Sequence, residues 1–183
     1  MVNMLNIFLK IIKTPNNVIS IDSGDIANAA YAEVGEKVRD NIKRLFHGSL
    51  AIRQVDAGSD NACEQELVAL SNNFYDVERF GIHFVASPRH ADMLFVTGPV
   101  TRNMASAVKD AYEATPEPKI VVAIGDDALD GGIFRGSYAV MDGVDSVIPV
   151  HYHIPGDPPS PKDILLGLLH ILEVVDKRSL TAK

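Results

Sequence analysis

The spacing of apolar and polar residues changes character near Ser49. Before it, Val34, Val38, Ile42 and Leu45 recur at helical intervals within Ala27–Phe46, with Lys and Arg between them, although Gly35 weakens the helical signal. Asn16-Asn17 and Asp22-Ser23-Gly24 read as turns. After Ser49, short apolar runs alternate with amphipathic stretches, the pattern of a parallel sheet covered by helices. Strands are expected at Leu50–Val55, Ile82–Ala86, Met93–Thr97 and Ile120–Ile124, with a shorter one near Ser146–Val150. Helices are expected at Ala62–Leu70 and Asn103–Ala114, the first opened by a capping box of Asn61 and Glu64. The stiff turn from Ile154 to Pro161 feeds a last helix with Ser160 as N-cap and Pro161 at its first position. Ile164, Leu165, Leu168, Leu169, Leu172 and Val175 form its apolar stripe. The pattern predicts one doubly wound α/β domain over residues 49–176, preceded by a helical arm (1–48) and followed by a short tail (177–183).

Composition narrows this only slightly. The 183 residues are 46% hydrophobic and 22% charged, enough apolar material for a sizeable core. A net charge of −7 with no clustered Lys or Arg argues against nucleic acid as a partner. The single cysteine, Cys63, excludes an internal disulfide and suits a reducing compartment. No run of 18 apolar residues is present, so no membrane span is expected. The segment from Met4 to Lys13, interrupted by Lys10 and Lys13, reads either as a helix resting on a membrane or partner, or as a core helix.

The candidate chemistry lies in three loops. The stretch Gly125-Asp126-Asp127-Ala128-Leu129-Asp130-Gly131-Gly132 follows the most strand-like run and holds three carboxylates in a few residues. The other two are Gly58–Glu64 and Gly156-Asp157-Pro158. Loops at the carboxyl ends of strands in an open α/β sheet meet at one edge. Convergence would gather Asp60, Cys63, Asp127 and Asp157, with Glu64, Asp126 and Asp130 nearby. Carboxylates packed together require a bound cation, a shared proton, or separation and water. The simpler reading makes them local turn and cap residues. Cys63, at a helix start, is either an acidified, reactive thiol or a small buried side chain. His151 and His153 could form a metal pair on one strand face, but with no third ligand in reach polar packing is the better reading. Arg135 pairs with a carboxylate or a partner, ordinary salt bridging being the simpler of the two.

Four segments together resemble a known family: Ser87-Pro88-Arg89-His90-Ala91-Asp92, Val96-Thr97-Gly98-Pro99-Val100, Gly131-Gly132-Ile133-Phe134-Arg135-Gly136-Ser137-Tyr138 and Ile154-Pro155-Gly156-Asp157-Pro158-Pro159. They look like the cluster-bearing small subunit of membrane-bound energy-converting [NiFe]-hydrogenases, a family that includes the B subunit of NADH-quinone oxidoreductase (respiratory complex I). The resemblance runs from about Ser49 to Leu172. It implies a flavodoxin-like domain holding one [4Fe–4S] cluster through four cysteines. It also implies a hydrogenase-like large subunit and membrane subunits as partners, at the cytoplasmic side of the membrane. The family's cysteines sit in a Cys-x-x-Cys pair at a helix start, in the loop before Gly-Gly-Ile-Phe, and within Pro-Gly-Cys-Pro-Pro. Those positions fall on Asp60, Cys63, Asp127 and Asp157, so one thiol of four remains.

That departure shapes the functional expectations. Such clusters are held by thiolates, occasionally with a histidine. Carboxylates are hard donors suited to Mg²⁺, Ca²⁺ or Mn²⁺. The leading expectation is a subunit of a hydrogenase- or complex-I-like assembly without the usual cluster, serving a structural or coupling role, with Glu64, Asp126, Asp130 and Arg135 as candidate coupling residues. An electron-transfer subunit with an unusually ligated cluster is the alternative. A carboxylate-metal hydrolase using Asp60, Asp127 and Asp157 is the third.

Overall fold

The computed structural model describes the backbone of residues 23–181 and the side chains of residues 30–177. The expectations for Met4–Lys13 and for the turn at Asn16-Asn17 lie outside the described residues. The first element, α1, spans Ser23–Phe46, so Ser23 and Gly24 belong to a helix rather than to a turn. From Tyr31 onward the chain is one compact unit.

Five strands follow: β1 (Leu50–Asp56), β2 (Ile82–Phe84), β3 (Met93–Thr97), β4 (Ile120–Ile124) and β5 (Tyr152–Ile154). Between and after them come α2 (Ala62–Ala69), α3 (Ala105–Ala114), the short α4 (Asp126–Asp130) and the long α5 (Pro161–Thr181). The strands pair in the order β2-β1-β3-β4-β5, and each pairing is parallel. This is the flavodoxin-like order. The sequence expectation of a doubly wound parallel sheet is met.

Alternation along the central strands supplies two cores. Met93, Phe95, Val122 and Ile124 face a layer that includes Val38, Ile42, Leu67, Phe80, Ile164 and Leu168. Leu94, Val96, Val121 and Ala123 face the other, against Val108, Val144 and Ile148. All five residues of β3 are buried, as a strand covered on both faces must be. Burying each of its larger side chains contributes about 1.5–3 kcal/mol.

Gly35 sits where a Cβ would lie 2.1 Å from Cζ of Phe80. The residue that weakened the helical signal is therefore the one that admits an aromatic ring against α1. A Phe in the core outweighs a helix-propensity cost of about 1 kcal/mol.

Two local expectations are corrected. No strand forms at Ser146–Val150: Val144–Ser146 is a 3₁₀ turn, and the last strand is Tyr152–Ile154. Pro149 has no N–H to donate, so pairing with β4 starts only at His151, whose N–H reaches the Val121 carbonyl at 2.9 Å. The Asn61–Glu64 capping box does not form either. Asn61 is left-handed, with φ of 75°, and makes no side-chain cap bond. Asp60 Oδ1 accepts from the Ala62 N–H at 2.9 Å instead, while Glu64 turns into the core. The cap of α5 forms as expected: Ser160 Oγ accepts from the Asp163 N–H and donates to Asp163 Oδ2 at 2.6 Å.

Candidate functional site

Because every strand runs the same way, the loops after β1, β4 and β5 leave the sheet at one edge. The loop after β1 is closed by Asp56, whose Oδ1 accepts from the N–H groups of Gly58 at 2.8 Å and Ser59 at 3.0 Å. It delivers Asp60 on the surface and Cys63 in the first turn of α2. The loop after β4 enters α4 directly, with Asp127 in its first turn. The loop after β5 carries Asp157 on the surface before α5 begins.

These loops touch. A Cβ built on Gly125 would fall 2.6 Å from Cys63 Sγ and 3.3 Å from the Gly156 carbonyl oxygen. The N–H of Asp126 donates to that same carbonyl at 2.9 Å, and the Gly156 N–H returns to Asp126 Oδ1 at 3.0 Å. Gly132 closes the arrangement from the other side. Its φ of +49° suits glycine, and a Cβ there would lie 1.8 Å from Asp127 Oδ1.

The electrostatics follow from this gathering. Burial, then the charges of Glu64, Asp127, Asp60 and Asp157 in that order, push the Cys63 thiol up to about 12. Of the two readings of Cys63, the structure supports the small buried side chain. Burial and the four carboxylates together outweigh any help from the start of α2. Asp127 is also raised, first by burial and then by Asp157 and Asp60, with a bond from the Ile133 N–H acting in the opposite sense.

Two carboxylates form the floor of the cluster. Asp127 is 8% exposed and Glu64 is 7% exposed. Thr97, at the end of β3, donates from Oγ1 to Glu64 Oε1. The other oxygen, Oε2, has no hydrogen-bond partner among the described residues. Sequence reasoning missed Thr97, whose one visible signal is a polar residue ending an otherwise apolar strand.

The remaining candidates do local work. Asp130 Oδ2 pairs with Arg135 Nη1 at 3.0 Å on the surface, and its Oδ1 accepts from the Gly132 N–H at 3.1 Å. This is the ordinary salt bridge expected of Arg135. His151 Nδ1 accepts from the Val121 N–H at 2.9 Å, continuing the β4 ladder, and His153 Nε2 lies 3.0 Å from the Gly125 carbonyl oxygen. The two histidines serve polar packing in separate places. A cleft of about 490 Å³ between β5 and α5 is lined by residues including Tyr152, Leu166 and His170, and by none of Asp60, Glu64, Asp127 and Asp157.

The donor set can be tested against the groups the sequence suggests. An iron–sulfur cubane asks for thiolates, and these loops present one thiol among carboxylates. The residues do not fit the group. Nor, among the described residues, do any three or more His, Cys, Asp or Glu side chains stand in a grouping that could hold a metal ion.

Comparison with known proteins bears on the whole domain. Residues 61–171 match the family described as NADH ubiquinone oxidoreductase, 20 kDa subunit. The chain is 48% identical over 131 residues to an uncharacterized protein of Methanocaldococcus jannaschii, covering 71% of this chain and 88% of that one. It is 47% identical over 123 residues to the probable membrane-bound hydrogenase subunit mbhJ of Pyrococcus furiosus, covering 67% and 74%. Among solved structures it resembles a chain of the membrane-bound sulfane sulfur reductase, an archaeal respiratory membrane complex. That likeness has a TM-score of 0.63 at 33% identity, over 70% of this chain and 71% of the other.

Proposed function

This chain belongs to the family of the NADH ubiquinone oxidoreductase 20 kDa subunit, and from that membership we propose that it is a peripheral subunit of a membrane-bound, hydrogenase- or complex-I-like assembly in which the family's cluster has been given up. Residues 49–176 hold the family domain's sheet and its covering helices, and α1 from Tyr31 onward packs on the same core through Val38 and Ile42. The role is structural and coupling: the domain seats a hydrogenase-like large subunit against the membrane subunits, on the cytoplasmic side. No helix among the described residues is long and apolar enough to cross a membrane, which accords with a peripheral position. The kinship with a hydrogenase subunit and with a chain of a sulfane sulfur reductase complex supports this class of assembly.

One observation carries the cluster-free reading. Asp60, Asp127 and Asp157 stand with a lone Cys63 at the positions where the family's cluster would need four thiolates. Iron–sulfur clusters are built on thiolates. Aspartate at all three of the other positions also suggests retention of acidic function, since unguided loss would leave mixed residues. The reading is tested by low-temperature paramagnetic resonance on the chain purified without oxygen and reduced. A silent spectrum is expected, and a fast-relaxing cluster signal on this chain would refute the reading.

A further inference from the structure

His151 and His153 flank Tyr152, so their side chains leave the same face of the edge strand β5, about 6.5 Å apart along the chain. One hydrogen bond sets the neutral form of each ring. His151 Nδ1 accepts from the Val121 N–H at 2.9 Å, which assigns the ring proton to Nε2. His153 Nε2 lies 3.0 Å from the Gly125 carbonyl oxygen, which can only accept. The proton of that ring is therefore also assigned to Nε2, and Nδ1 keeps its lone pair. The two bonds lie in separate places, yet both residues line one pocket of about 280 Å³, together with Asp145. Ala123 and Ala128, each 1% exposed, contribute to its wall, and Leu129 adds an apolar side chain that is 46% exposed. His151 Nε2, His153 Nδ1 and the carboxylate of Asp145 have no partner among the described residues.

These three groups differ in kind, and the set selects its occupant. A neutral imidazole binds a metal through a lone pair, and that of His151 is taken by the Val121 N–H, so a metal does not fit. An anion would meet the carboxylate of Asp145. An amidinium has no acceptor for the His151 Nε2–H. A hydroxyl has one donor, whereas His153 Nδ1 and Asp145 both accept. A primary carboxamide carries one carbonyl oxygen and two N–H donors, one group for each of the three. With hydrogen bonds of about 2.9 Å at each end, its oxygen and nitrogen can bridge two side chains spaced as these are.

We propose that this pocket binds a small molecule bearing a primary carboxamide on an apolar ring. The carbonyl accepts from His151 Nε2–H, the two N–H groups donate to His153 Nδ1 and Asp145, and the ring lies against Leu129 beside Ala123 and Ala128. The site uses none of Asp60, Cys63, Asp127 and Asp157, so it stands or falls separately from the function proposed above.

The test is a titration of the full chain with benzamide, followed by amide chemical shifts and by saturation transfer to the ligand. A dissociation constant on the order of 1 mM is expected for so small a molecule. The shifts should fall on the N–H groups of Val121, Ala123 and Ala128. Benzoate, which brings a second negative charge, and N,N-dimethylbenzamide, which has no N–H, should each bind at least about ten-fold more weakly. Asp145→Ala should weaken benzamide about ten-fold, and Glu113→Gln, on the exposed side of α3, should leave it unchanged. Asp145 and Glu113 are both exposed, so both variants should melt with wild type. The ligand series needs no variant and decides the matter even if Asp145→Ala unfolds. Binding of benzoate as tight as that of benzamide, shifts confined to the cleft between β5 and α5, or no binding at 10 mM would overturn the proposal. So would binding to the chain alone that is lost in the whole complex, because a neighbouring subunit would then fill the pocket.

Discussion

Asp126 and Gly156 hold each other across two loops, the Asp126 N–H donating to the Gly156 carbonyl at 2.9 Å and the Gly156 N–H to Asp126 Oδ1 at 3.0 Å. Each is the immediate neighbour of a carboxylate in the cluster, Asp127 in one case and Asp157 in the other. The pairing therefore sets the separation of two acidic groups that come from loops 30 residues apart. Replacing Asp126 by Ala removes one of the two bonds and should lower stability by about 1 kcal/mol. Asp126→Asn retains an acceptor and should cost less. Thermal unfolding of the two variants beside wild type checks the order.

Cys63 should be slow to react. With its thiol pushed up to about 12, the thiolate fraction near pH 8 is lower than in a free cysteine by about a thousandfold. Iodoacetamide labelling of the folded chain should be slower than labelling in urea by at least about a hundredfold. Equal rates in the two conditions would mean that burial and the carboxylates do not act on the thiol as described.

Asp127 makes a signed prediction about pH. Its folded value is raised by burial and by Asp157 and Asp60, so the folded state holds the proton more tightly than the unfolded chain does. Its contribution to stability is fully present below the ordinary carboxylate range of about 4 and is lost as pH rises through the raised value. Asp127→Asn keeps an acceptor for the Ile133 N–H and removes the titrating group. The variant should be at least as stable as wild type at pH 7, and its stability should fall less between pH 4 and 7. Denaturant melts at a series of pH values measure the difference.

Thr97→Val deletes the one donor to Glu64 among the described residues and leaves both of its oxygens without a described partner in the core. A loss of about 1–3 kcal/mol is expected for a buried acceptor stranded in this way. Adding Glu64→Leu should recover much of that loss, because the stranded group is then gone. A double-mutant cycle by chemical denaturation isolates the coupling.

Most of the sheet was legible in the sequence because its strands are continuous apolar runs bounded by turn residues. Met93–Thr97 and Ile120–Ile124 appear in the structure with the expected bounds. The last strand was misplaced because Val147, Ile148 and Val150 look strand-like locally, whereas Pro149 and the position of β4 decide where pairing can begin. The convergence of three loops followed from parallel topology, which fixes the edge at which they emerge. What the sequence left hidden was depth. Asp60 and Asp127 look equivalent as residues in short loops, yet one is exposed and the other buried. Glu64 read as a cap residue because its spacing from Asn61 suits one, and only the tertiary contact with Thr97 turns it inward.

The most direct measurement of the central claim is iron, acid-labile sulfide and a full metal scan on this subunit, taken both alone and within the complex purified without oxygen. The account predicts neither iron nor sulfide assigned to this chain, because Asp60, Asp127 and Asp157 replace the thiolates such a cluster requires. Iron and sulfide in cubane proportion on the isolated chain would contradict it and make this an electron-transfer subunit with carboxylate ligation.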